Sequence, residues 1–498
     1  MAGGLCVVAT SSSAGKSIIT ALLAYHFRRL GYRVAPFKPQ NMSLNSYPAV
    51  EGGEIAFAQA MQALAAGCMP SVRMNPVLLK PLGGLVEVVV AGRSLGVMSF
   101  HDYWFRVRGY VRRVVRECFE ELSREYDLIL IEGAGCAAEP NFIDGDVANL
   151  WLPSLYGVPA VMVADVERGG AFASILGSLS IMPKKQRVLV KGFIINKFRG
   201  SIDVLKPALE WLERRTGRRV LGVVPYDESM KLWPEDSMEL ESFGDGGVDV
   251  AVIAYPTISN FNDLEPLKLE GDVSVRIVRR PESLGRPHII VLPGARNVFR
   301  ALEWIKKHGF DEKIRRLAGE SFILGVCGGH QILGRRVSDP HGMEAGAPAH
   351  AEALGLMDYT IVYGFEKITS ITKAQATPNN YLVNDHQMVT GYEIHRGKTI
   401  YGGSKPAFLV VERSGRQCID HDGSVDEHIL TTMMHDLLWN DPVRCSLLKT
   451  ACKLAGCNVS CRESGGLEKA VLERVEKAYS VFREFVDLDY IEKLVLGE

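Results

Sequence analysis

The chain reads Leu324-Gly325-Val326-Cys327-Gly328-Gly329-His330-Gln331 at the point where an apolar run meets a pair of glycines. Residues 321–326 predict a short buried strand, and a helical pattern begins at Gln331. Cys327 would therefore lie on a tight strand-to-helix turn, where the helix dipole and the free amides favour a thiolate. The pattern predicts a cysteine nucleophile, and a buried cysteine packed beside two glycines is the alternative interpretation.

A cysteine nucleophile also needs amides that face the developing oxyanion. The amide of Gly328 follows the cysteine directly, and glycine lets the substrate approach the backbone closely. A strand predicted over residues 288–292 ends at Pro293-Gly294, so the amide of Gly294 is a second candidate donor.

The base that activates the cysteine is expected to be a histidine, and distance along the sequence does not restrict the choice. A histidine on the helix that follows Cys327 would point away from the thiol. The apolar run 429–434 could instead end at the nucleophile and bring the next histidine to it. The candidates are His330, His386, His395 and His435.

A phosphate-binding loop is predicted near the start of the chain. Residues 5–9 predict a strand, the sequence Thr10-Ser11-Ser12-Ser13-Ala14-Gly15-Lys16-Ser17 follows it, and residues 18–30 predict an amphipathic helix whose N-terminus would face the anion. The predicted ligands of nucleotide and Mg²⁺ are the backbone of Gly15, the ammonium of Lys16 and the hydroxyl of Ser17, with Thr10 where the usual motif has glycine.

Short β-rich runs alternate with helical stretches, which predicts an α/β fold with a parallel sheet covered on both faces. Ligands of such sheets bind at the carboxyl ends of the strands, where this chain has Lys38, Glu132 and Asn196. Glu132 could hold Mg²⁺, and Lys38 could neutralise a phosphoryl group in transfer. A capping or solvated glutamate and a solvent-facing lysine are the alternatives. The predicted strands are 5–9, 33–37, 128–132, 160–164, 190–195 and 220–224.

Composition favours an enzyme of more than one domain. The 498 residues are 47% hydrophobic, and 57 basic residues against 58 acidic ones leave a formal net charge of −1. This balance argues against nucleic acid as a partner. Because no apolar run is long enough to cross a membrane and the first strand leaves no room for a signal peptide, a soluble cytoplasmic protein is expected.

Four of the ten cysteines lie close together near the end of the chain, at Cys445, Cys452, Cys457 and Cys461. Their spacing lacks a C-x-x-C pair or a nearby histidine, which argues against a zinc site. Disulfides or inert buried thiols are expected instead, although intracellular disulfides are unusual outside hyperthermophiles.

Long strings in both halves of the chain resemble one family, the cobyric acid synthases (CobQ/CbiP), which are glutamine-dependent corrinoid amidotransferases of cobalamin biosynthesis. In the first half these strings are ATSSSAGKS (9–17), APFKPQNMSLNS (35–46), GGEIAFAQAMQALAAG (52–67), MNPVLLKP (74–81), IEGAG (131–135), DVERGGAFAS (165–174) and KGFIINKFRG (191–200). In the second half they are ISNFNDLEPL (258–267), LPGARN (292–297), GVCGGHQILG (325–334) and GYEIHRG (391–397). So many long strings in one order make the resemblance highly specific.

The resemblance implies a doubly wound, dethiobiotin synthetase-like P-loop domain joined to a class I glutamine amidotransferase-like α/β domain. Glutamine would be hydrolysed at Cys327, ATP would convert carboxylates of a corrinoid substrate to acyl phosphates, and ammonia would displace the phosphate. The family amidates the b, d, e and g carboxylates of adenosylcobyrinic acid a,c-diamide to give adenosylcobyric acid. This chemistry fits the residues, because a carboxylate is a poor electrophile until phosphorylation supplies a leaving group.

Carried over residue by residue, the resemblance makes Cys327 the nucleophile and His435 the base. The family string around that histidine usually reads GTYLHGLF, whereas this chain has LTTMMHDLL over 430–438. Class I glutaminases commonly have a glutamate where Leu437 stands, so the third member of the triad is left unassigned. For His395, in the string GYEIHRG, a structural hydrogen-bonded role is expected.

The predicted domains are an ATP-dependent synthetase domain over 1–232, a linker over 233–247, an amidotransferase domain over 248–446 and a helical extension over 447–498. The linker follows from the Pro, Gly, Asp and Glu content of residues 225–247. Helical spacing of apolar residues over 466–495 predicts a packing or oligomerisation helix.

Two other functions stay open. One is the related enzyme that amidates the a and c positions, or another glutamine-dependent ligase, and the strings QNMSLNS and INKFRG argue against it. The other is a non-catalytic P-loop ATPase with a degenerate second domain. The presence of Cys327 with its two glycines argues against that function.

Overall fold

A computed structural model describes residues 2–230, 232–233 and 240–497, and it divides the chain into two compact units. The first unit comprises Met1–Ser237 together with Val471–Glu498, and the second comprises Met238–Ala470. Each unit has a six-stranded sheet of mainly parallel strands with helices, which confirms the predicted α/β fold class.

Strands and helices alternate through the first unit. Its strands are β1 (Gly3–Ala9), β2 (Val34–Phe37), β3 (Gln40–Met42), β4 (Ser46–Pro48), β5 (Glu54–Ala56), β6 (Val77–Leu82), β7 (Leu85–Val90), β8 (Arg93–Ser99), β9 (Leu128–Glu132), β10 (Ala160–Asp165), β11 (Val190–Phe198) and β12 (Arg219–Pro225). Its helices up to that point are α1 (Lys16–Arg29), α2 (Phe57–Ala66), α3 (Phe100–Asp102), α4 (Arg108–Glu125), α5 (Trp151–Tyr156), α6 (Ala171–Ile181), α7 (Lys184–Arg187) and α8 (Ile202–Thr216), with a π-helical turn over Tyr103–Val107.

The main sheet of the first unit has the strand order β12-β11-β10-β1-β9-β2, and all its neighbours are parallel. The six strands predicted from the sequence are these six. Because β1 lies next to β9 with Val7 opposite Glu132, the phosphate-binding loop and Glu132 leave the same edge of the sheet side by side. A smaller sheet of order β3-β6-β7-β8 ends at Ser99 and leads directly into α3.

The second unit contains a second parallel sheet and a mixed sheet. Its strands are β13 (Val248–Ile253), β14 (Val273–Val278), β15 (Ile289–Leu292), β16 (Phe322–Val326), β17 (Arg336–Asp339), β18 (Ala349–Glu352), β19 (Tyr359–Ala376), β20 (Met388–Tyr401), β21 (Phe408–Arg413), β22 (Arg416–Asp422), β23 (Ser424–Asp426) and β24 (Ile429–Thr432). Its helices are α9 (Val298–Lys307), α10 (Phe310–Leu317), α11 (Gly328–Leu333) and α12 (Asp441–Ala455), with 3-10 turns at Phe261–Leu269 and Leu437–Trp439.

The order of the second parallel sheet is β14-β13-β15-β16-β24-β23, in which only β23 runs antiparallel to its neighbour. Along β13, Val250 and Val252 belong to one hydrophobic core, while Ala251 and Ile253 belong to another. Successive side chains of a strand point to opposite faces, so this sheet is buried on both sides. Burial on both sides explains the uninterrupted apolar runs in the sequence.

The end of the chain forms two helices, α13 (Leu467–Phe485) and α14 (Leu488–Leu496), where the sequence predicted one continuous pattern. Between them the amide of Asp487 donates to the carbonyl of Leu221 at 2.7 Å, and Val486 bridges to Gly222. The tail therefore packs on the edge strand β12 of the first unit. A role in oligomerisation stays a prediction.

The predicted linker 233–247 lies partly outside the described residues, which omit 234–239. Within its described part, Phe243 and Val275 exchange backbone hydrogen bonds of 3.0 and 2.7 Å. This segment therefore pairs alongside β14, the edge strand of the second unit. The proposed limits of the domains stay predictions.

Two of the clustered cysteines, Cys452 and Cys457, form a disulfide. The other two, Cys445 and Cys461, group with Glu270, with possible ligand atoms within 4.8 Å of one another. Glu270 already forms an ion pair with Arg444 at 2.7 Å, so its carboxylate has a structural partner.

None of the helices in the described residues combines the length and the apolar character that crossing a bilayer requires.

Candidate functional site

Cys327 lies on the turn between β16 and α11, as its sequence pattern predicts. The helix begins at Gly328 rather than at Gln331, and Cys327 has φ 49° and ψ −102°. This conformation is strained for any residue with a side chain, and such strain persists only where neighbouring groups hold the backbone. The amide of Cys327 is held by the carbonyl of Thr432 at 2.7 Å.

The two glycines after Cys327 are required by a close backbone approach. A Cβ atom on Gly328 would lie 2.3 Å from the amide nitrogen of Ala295, and one on Gly329 would lie 1.8 Å from the carbonyl oxygen of Leu292. The turn after the nucleophile therefore touches the turn that follows β15. Both predicted oxyanion donors, Gly328 and Gly294, belong to these two turns. The sequence interpretation missed the amide of Ala295, which is the backbone nitrogen nearest to Gly328 and follows Gly294 in the string LPGARN.

His435 follows β24, whose residue Thr432 lies opposite Val326 of the nucleophile strand. Its side chain is only 2% exposed, and it lies close enough to the side chain of Cys327 for that group to raise its pKa. A Cβ atom on Gly294 would lie 3.0 Å from Cε1 of His435, so this glycine lies against the imidazole. The ring of Tyr392 stacks on the imidazole with centroids 4.9 Å apart. The structure thus brings together the four residues predicted for glutamine hydrolysis, which are Cys327, His435, Gly328 and Gly294.

Asp263 occupies the place of the third triad member that the sequence left open. Its Oδ2 lies 2.7 Å from Nδ1 of His435, and its Oδ1 accepts the amide of Asp436 at 2.7 Å. Burial opposes a charged imidazole, but its interactions with Asp263 and Cys327 outweigh burial and raise the pKa of His435 well above its usual value.

Asp263 comes from the 3-10 turn Phe261–Leu269, far from the nucleophile in sequence. The string ISNFNDLEPL contains it, but nothing in that string marks Asp263 as the partner of a histidine. Class I glutaminases commonly have a glutamate at the position of Leu437. This leucine is buried and begins the 3-10 turn Leu437–Trp439.

Asp436 is a second buried acid at this site. It has φ 62°, a left-handed conformation that suits the glycine found there in the family string GTYLHGLF. Asn262 donates to its Oδ1 at 3.2 Å, whereas its Oδ2 has no hydrogen-bond partner among the described residues. Burial, with the charge of Asp263, raises the pKa of Asp436 to about 8.

The other candidate histidines lie elsewhere in the second unit. His330 is fully buried between the hydroxyls of Thr431 and Thr399, each 2.9 Å away, and burial lowers its pKa to about 3. His395 is hydrogen-bonded to Glu393 at 3.1 Å, and His386 has a side chain that is 75% exposed. None of the three forms a described hydrogen bond with Cys327.

The phosphate-binding loop connects β1 with α1, as predicted. Gly15 has φ 100°, and a Cβ atom there would lie 2.1 Å from Nδ2 of Asn196. That amide donates to the carbonyl of Ala14 at 2.8 Å, so Asn196 supports the loop from behind. Lys16 reaches forward to the carbonyls of Ser11 and Gly135 at 3.0 and 2.9 Å.

Glu132 is the centre of a buried polar network beside this loop. Its Oε1 accepts hydrogen bonds from Ser17 at 2.7 Å and from Lys38 at 2.8 Å. Burial opposes its charge, but Lys38 prevails and lowers the pKa of Glu132 below its usual value. Glu132 and Lys38 are 0% and 4% exposed, so the alternatives of a solvated glutamate and a solvent-facing lysine are wrong.

The sequence interpretation missed two residues of this network, Gln59 and Gln62. Both lie on one face of α2 and donate to Oε2 of Glu132, at 3.3 and 2.6 Å. Their spacing within the string GGEIAFAQAMQALAAG was the available signal.

A cavity of about 570 Å³ opens at the loop, which is large enough for a ligand the size of a nucleotide. Five of the predicted residues line it, namely Gly15, Lys16, Ser17, Lys38 and Glu132. Thr10 and Asn196 are not among its lining residues, and their contact with a nucleotide stays a prediction. Ser17 and Glu132 supply the oxygen donors that Mg²⁺ prefers.

Comparison with known proteins relates both units to described domains. Residues 5–240 match the model of the CobQ/CobB/MinD/ParA nucleotide binding domain, and residues 249–443 match that of the CobB/CobQ-like glutamine amidotransferase domain. The chain is 40% identical to the probable cobyric acid synthase of Methanothermobacter thermautotrophicus over 99% of both chains. It is 39% identical to the cobyric acid synthase of Pelotomaculum thermopropionicum over 99% of this chain and 97% of that one. With the cobyric acid synthase of Moorella thermoacetica it shares 40% identity over 89% and 88% of the two chains.

Proposed function

The chain belongs to the cobyric acid synthase family of glutamine-dependent ligases, and from this premise we propose that it amidates the b, d, e and g carboxylates of adenosylcobyrinic acid a,c-diamide. One observation carries the proposal: a single chain holds a Cys327–His435–Asp263 constellation and a phosphate-binding cavity lined by Lys16, Lys38 and Glu132. The first is suited to releasing ammonia from glutamine, and the second is suited to phosphorylating a carboxylate.

In the proposed glutaminase reaction, the thiolate of Cys327 attacks the carbon of the glutamine side-chain amide. The oxyanion that forms is stabilised by the amides of Gly328 and Gly294. His435 then gives its proton to the departing nitrogen, ammonia leaves, and a thioester remains on Cys327. Water activated by His435 cleaves the thioester and releases glutamate, while Asp263 keeps the imidazole oriented and stabilises its charged form.

In the proposed synthetase reaction, a carboxylate oxygen of the corrinoid attacks the γ-phosphorus of ATP, and ADP leaves. Lys16 and Lys38 stabilise the negative charge of the phosphoryl group during this transfer. Ammonia next attacks the carbonyl carbon of the acyl phosphate, inorganic phosphate leaves, and an amide remains after loss of a proton.

Ser17 and Glu132 are the residues we propose for Mg²⁺. Their oxygens are suitable donors, and the hydroxyl proton that Ser17 now gives to Glu132 would have to turn away to free a lone pair for the ion. When bound, Mg²⁺ neutralises charge on the terminal phosphates.

The experiment supplies ATP, cobyrinic acid a,c-diamide and glutamine labelled with nitrogen-15 in its side-chain amide. We expect label at the b, d, e and g amides of the product by mass spectrometry. Cys327→Ser should abolish transfer from glutamine but retain amidation with ammonium chloride, and Cys418→Ser, a partly buried thiol of β22, is the matched control. With cobyrinic acid as acceptor, label at the a and c positions would favour the related diamide synthase. ATP hydrolysis without label on either corrinoid would exclude both acceptors.

A further inference from the structure

An aromatic wall lines one side of the phosphate cavity and has no role in the reaction described above. We define the wall as Phe100, Trp104 and Phe142, all of which line the cavity. The rings of Phe100 and Trp104 stack with centroids 6.1 Å apart, and those of Trp104 and Phe142 meet edge-on at 5.2 Å. Phe100 is 37% exposed and Phe142 is 40% exposed, so the wall keeps a large apolar surface open to a ligand.

The backbone holds the wall in place. Trp104 belongs to the π-helical turn Tyr103–Val107, a rare conformation that occurs frequently at functional sites. A Cβ atom on Gly145 would lie 1.9 Å from Cζ2 of Trp104, so the backbone of residue 145 lies flat against the indole. On the indole face, the guanidinium carbon of Arg108 lies 4.9 Å from the ring centroid. A rigid aromatic surface of this kind costs little entropy when a ligand binds.

The wall is linked through Tyr103 to the segment that follows Lys38. The hydroxyl of Tyr103, next to Trp104, donates to the side chain of Gln40, which follows Lys38 closely along the chain. Lys38, which stabilises the phosphoryl group in the proposed reaction, is bound to Glu132 beside Ser17. In phosphoryl transfer the attacking and leaving oxygens are roughly in line, so the acceptor approaches from the side opposite ADP.

We propose that Phe100, Trp104 and Phe142 bind the macrocycle of the corrinoid substrate through its apolar face, and that they hold its carboxylate arms over the phosphate-binding loop. This inference rests on the proposed function and adds the surface that recognises the acceptor. A conjugated ring with many acidic and amide arms offers its face for apolar contact. Contact through the face also lets the ring turn in its plane, so that different arms reach the same γ-phosphate.

The test measures binding and turnover separately. Equilibrium dialysis of cobyrinic acid a,c-diamide, which absorbs visible light, gives its Kd in the presence of a non-hydrolysable ATP analogue. Steady-state assays with ammonium chloride as nitrogen donor give KM for the corrinoid and for ATP without involving Cys327. The variants are Trp104→Ala, Trp104→Phe and Phe142→Ala. The matched control is Phe105→Ala on the same π-helical turn, where the ring is 69% exposed, packs on His101 at 4.7 Å and does not line the cavity.

We expect Trp104→Ala and Phe142→Ala to raise Kd and KM for the corrinoid about 10-fold or more, as truncation of a buried aromatic anchor does. Trp104→Phe should restore most of the affinity, and KM for ATP and the thermal midpoint should stay near those of the wild type and of Phe105→Ala. An unchanged Kd for the corrinoid would overturn the proposal. A rise in KM for ATP alone would indicate that the wall binds the adenine ring of ATP instead.

Two further outcomes separate this proposal from the proposed function. A wild-type protein that binds the corrinoid through Trp104 but does not amidate it would contradict the proposed function. It would still support the wall as the binding site of the corrinoid. A wild-type protein that does not bind the corrinoid at all would overturn the wall as its site.

Discussion

His435 and Asp263 form a buried hydrogen-bonded pair, with Nδ1 of the imidazole 2.7 Å from Oδ2 of the carboxylate. Their side chains are 2% and 5% exposed, so water does not screen the interaction. The second oxygen of Asp263 is occupied by the amide of Asp436, which fixes the plane of the carboxylate. Asp263 therefore orients the histidine that interacts electrostatically with Cys327.

Replacing Asp263 with Asn should impair glutamine hydrolysis while sparing amidation from free ammonia. The amide keeps the shape of the side chain but removes the charge that stabilises the imidazolium and selects its tautomer. We expect kcat for glutamine hydrolysis to fall by about 100-fold or more, with a smaller change in KM for glutamine. Glutamate release in a coupled assay measures this effect.

Asp385→Asn is the matched control, because Asp385 lies beside the exposed His386 and its side chain is 47% exposed. It should retain wild-type kcat. Equal losses of glutamine-dependent and ammonia-dependent amidation in Asp263→Asn would instead indicate general damage to the protein.

Asp436 should make the stability of the protein depend on pH in the neutral range. Burial, with the charge of Asp263, raises its pKa from 3.8 to about 8, so the folded protein holds a proton that the unfolded chain releases. The resulting stabilisation is complete below the unfolded pKa and is lost as pH rises through the folded pKa. Between pH 5 and 9 the free energy of unfolding of the wild type should fall by about 4 kcal/mol relative to that of Asp436→Asn, which has no proton to release.

Urea midpoints of both proteins across this pH range measure the difference. Parallel curves would show that Asp436 titrates in its ordinary range. Asp249→Asn provides a comparison at a partly exposed aspartate of the same unit, paired with Arg276 at 2.7 Å.

The buried ion pair of Glu132 and Lys38, beside the phosphate-binding loop, should contribute to the free energy of unfolding. Glu132→Gln leaves the Lys38 ammonium without its carboxylate in a site that is almost fully buried, at a cost of about 3 kcal/mol. Adding Lys38→Met should recover part of that loss, because the uncompensated charge is removed. Denaturation of the two single variants and the double variant gives the coupling energy, and additive losses would contradict a direct interaction.

The same variants should separate the two activities. ATP-dependent amidation should be lost in Glu132→Gln even where the protein stays folded, whereas hydrolysis of glutamine measured without ATP should persist. Arg73→Met in the exposed pair with Glu125, 2.6 Å apart, is the control for loss of an ion pair in the same unit.

The periodic and motif-bearing parts of the chain could be predicted from the sequence, and contacts between distant segments could not. The six strands of the first sheet follow from apolar runs that are buried on both faces, and Cys327 follows from its strand, turn and glycines. Asp263 carries no local signal, because only the fold brings its 3-10 turn to His435. Likewise, the tail pattern predicted one helix, but pairing of Val486 and Asp487 with β12 divides it into two.

Gly15 is the residue of the phosphate-binding loop whose replacement gives the sharpest test of that site. Its φ of 100° costs an alanine about 1–2 kcal/mol, and the new Cβ atom would lie 2.1 Å from Nδ2 of Asn196, which holds the carbonyl of Ala14. Gly15→Ala should therefore displace the loop and weaken ATP binding by about 10-fold or more in calorimetric titration, while glutamine hydrolysis without ATP is unaffected. Gly217→Ala is the matched control, since its φ is 67° with no atom within 4 Å of the new Cβ: it shares the backbone strain but not the collision with Asn196. Equal ATP affinities in the two variants would contradict a role of the contact with Asn196 in shaping the loop.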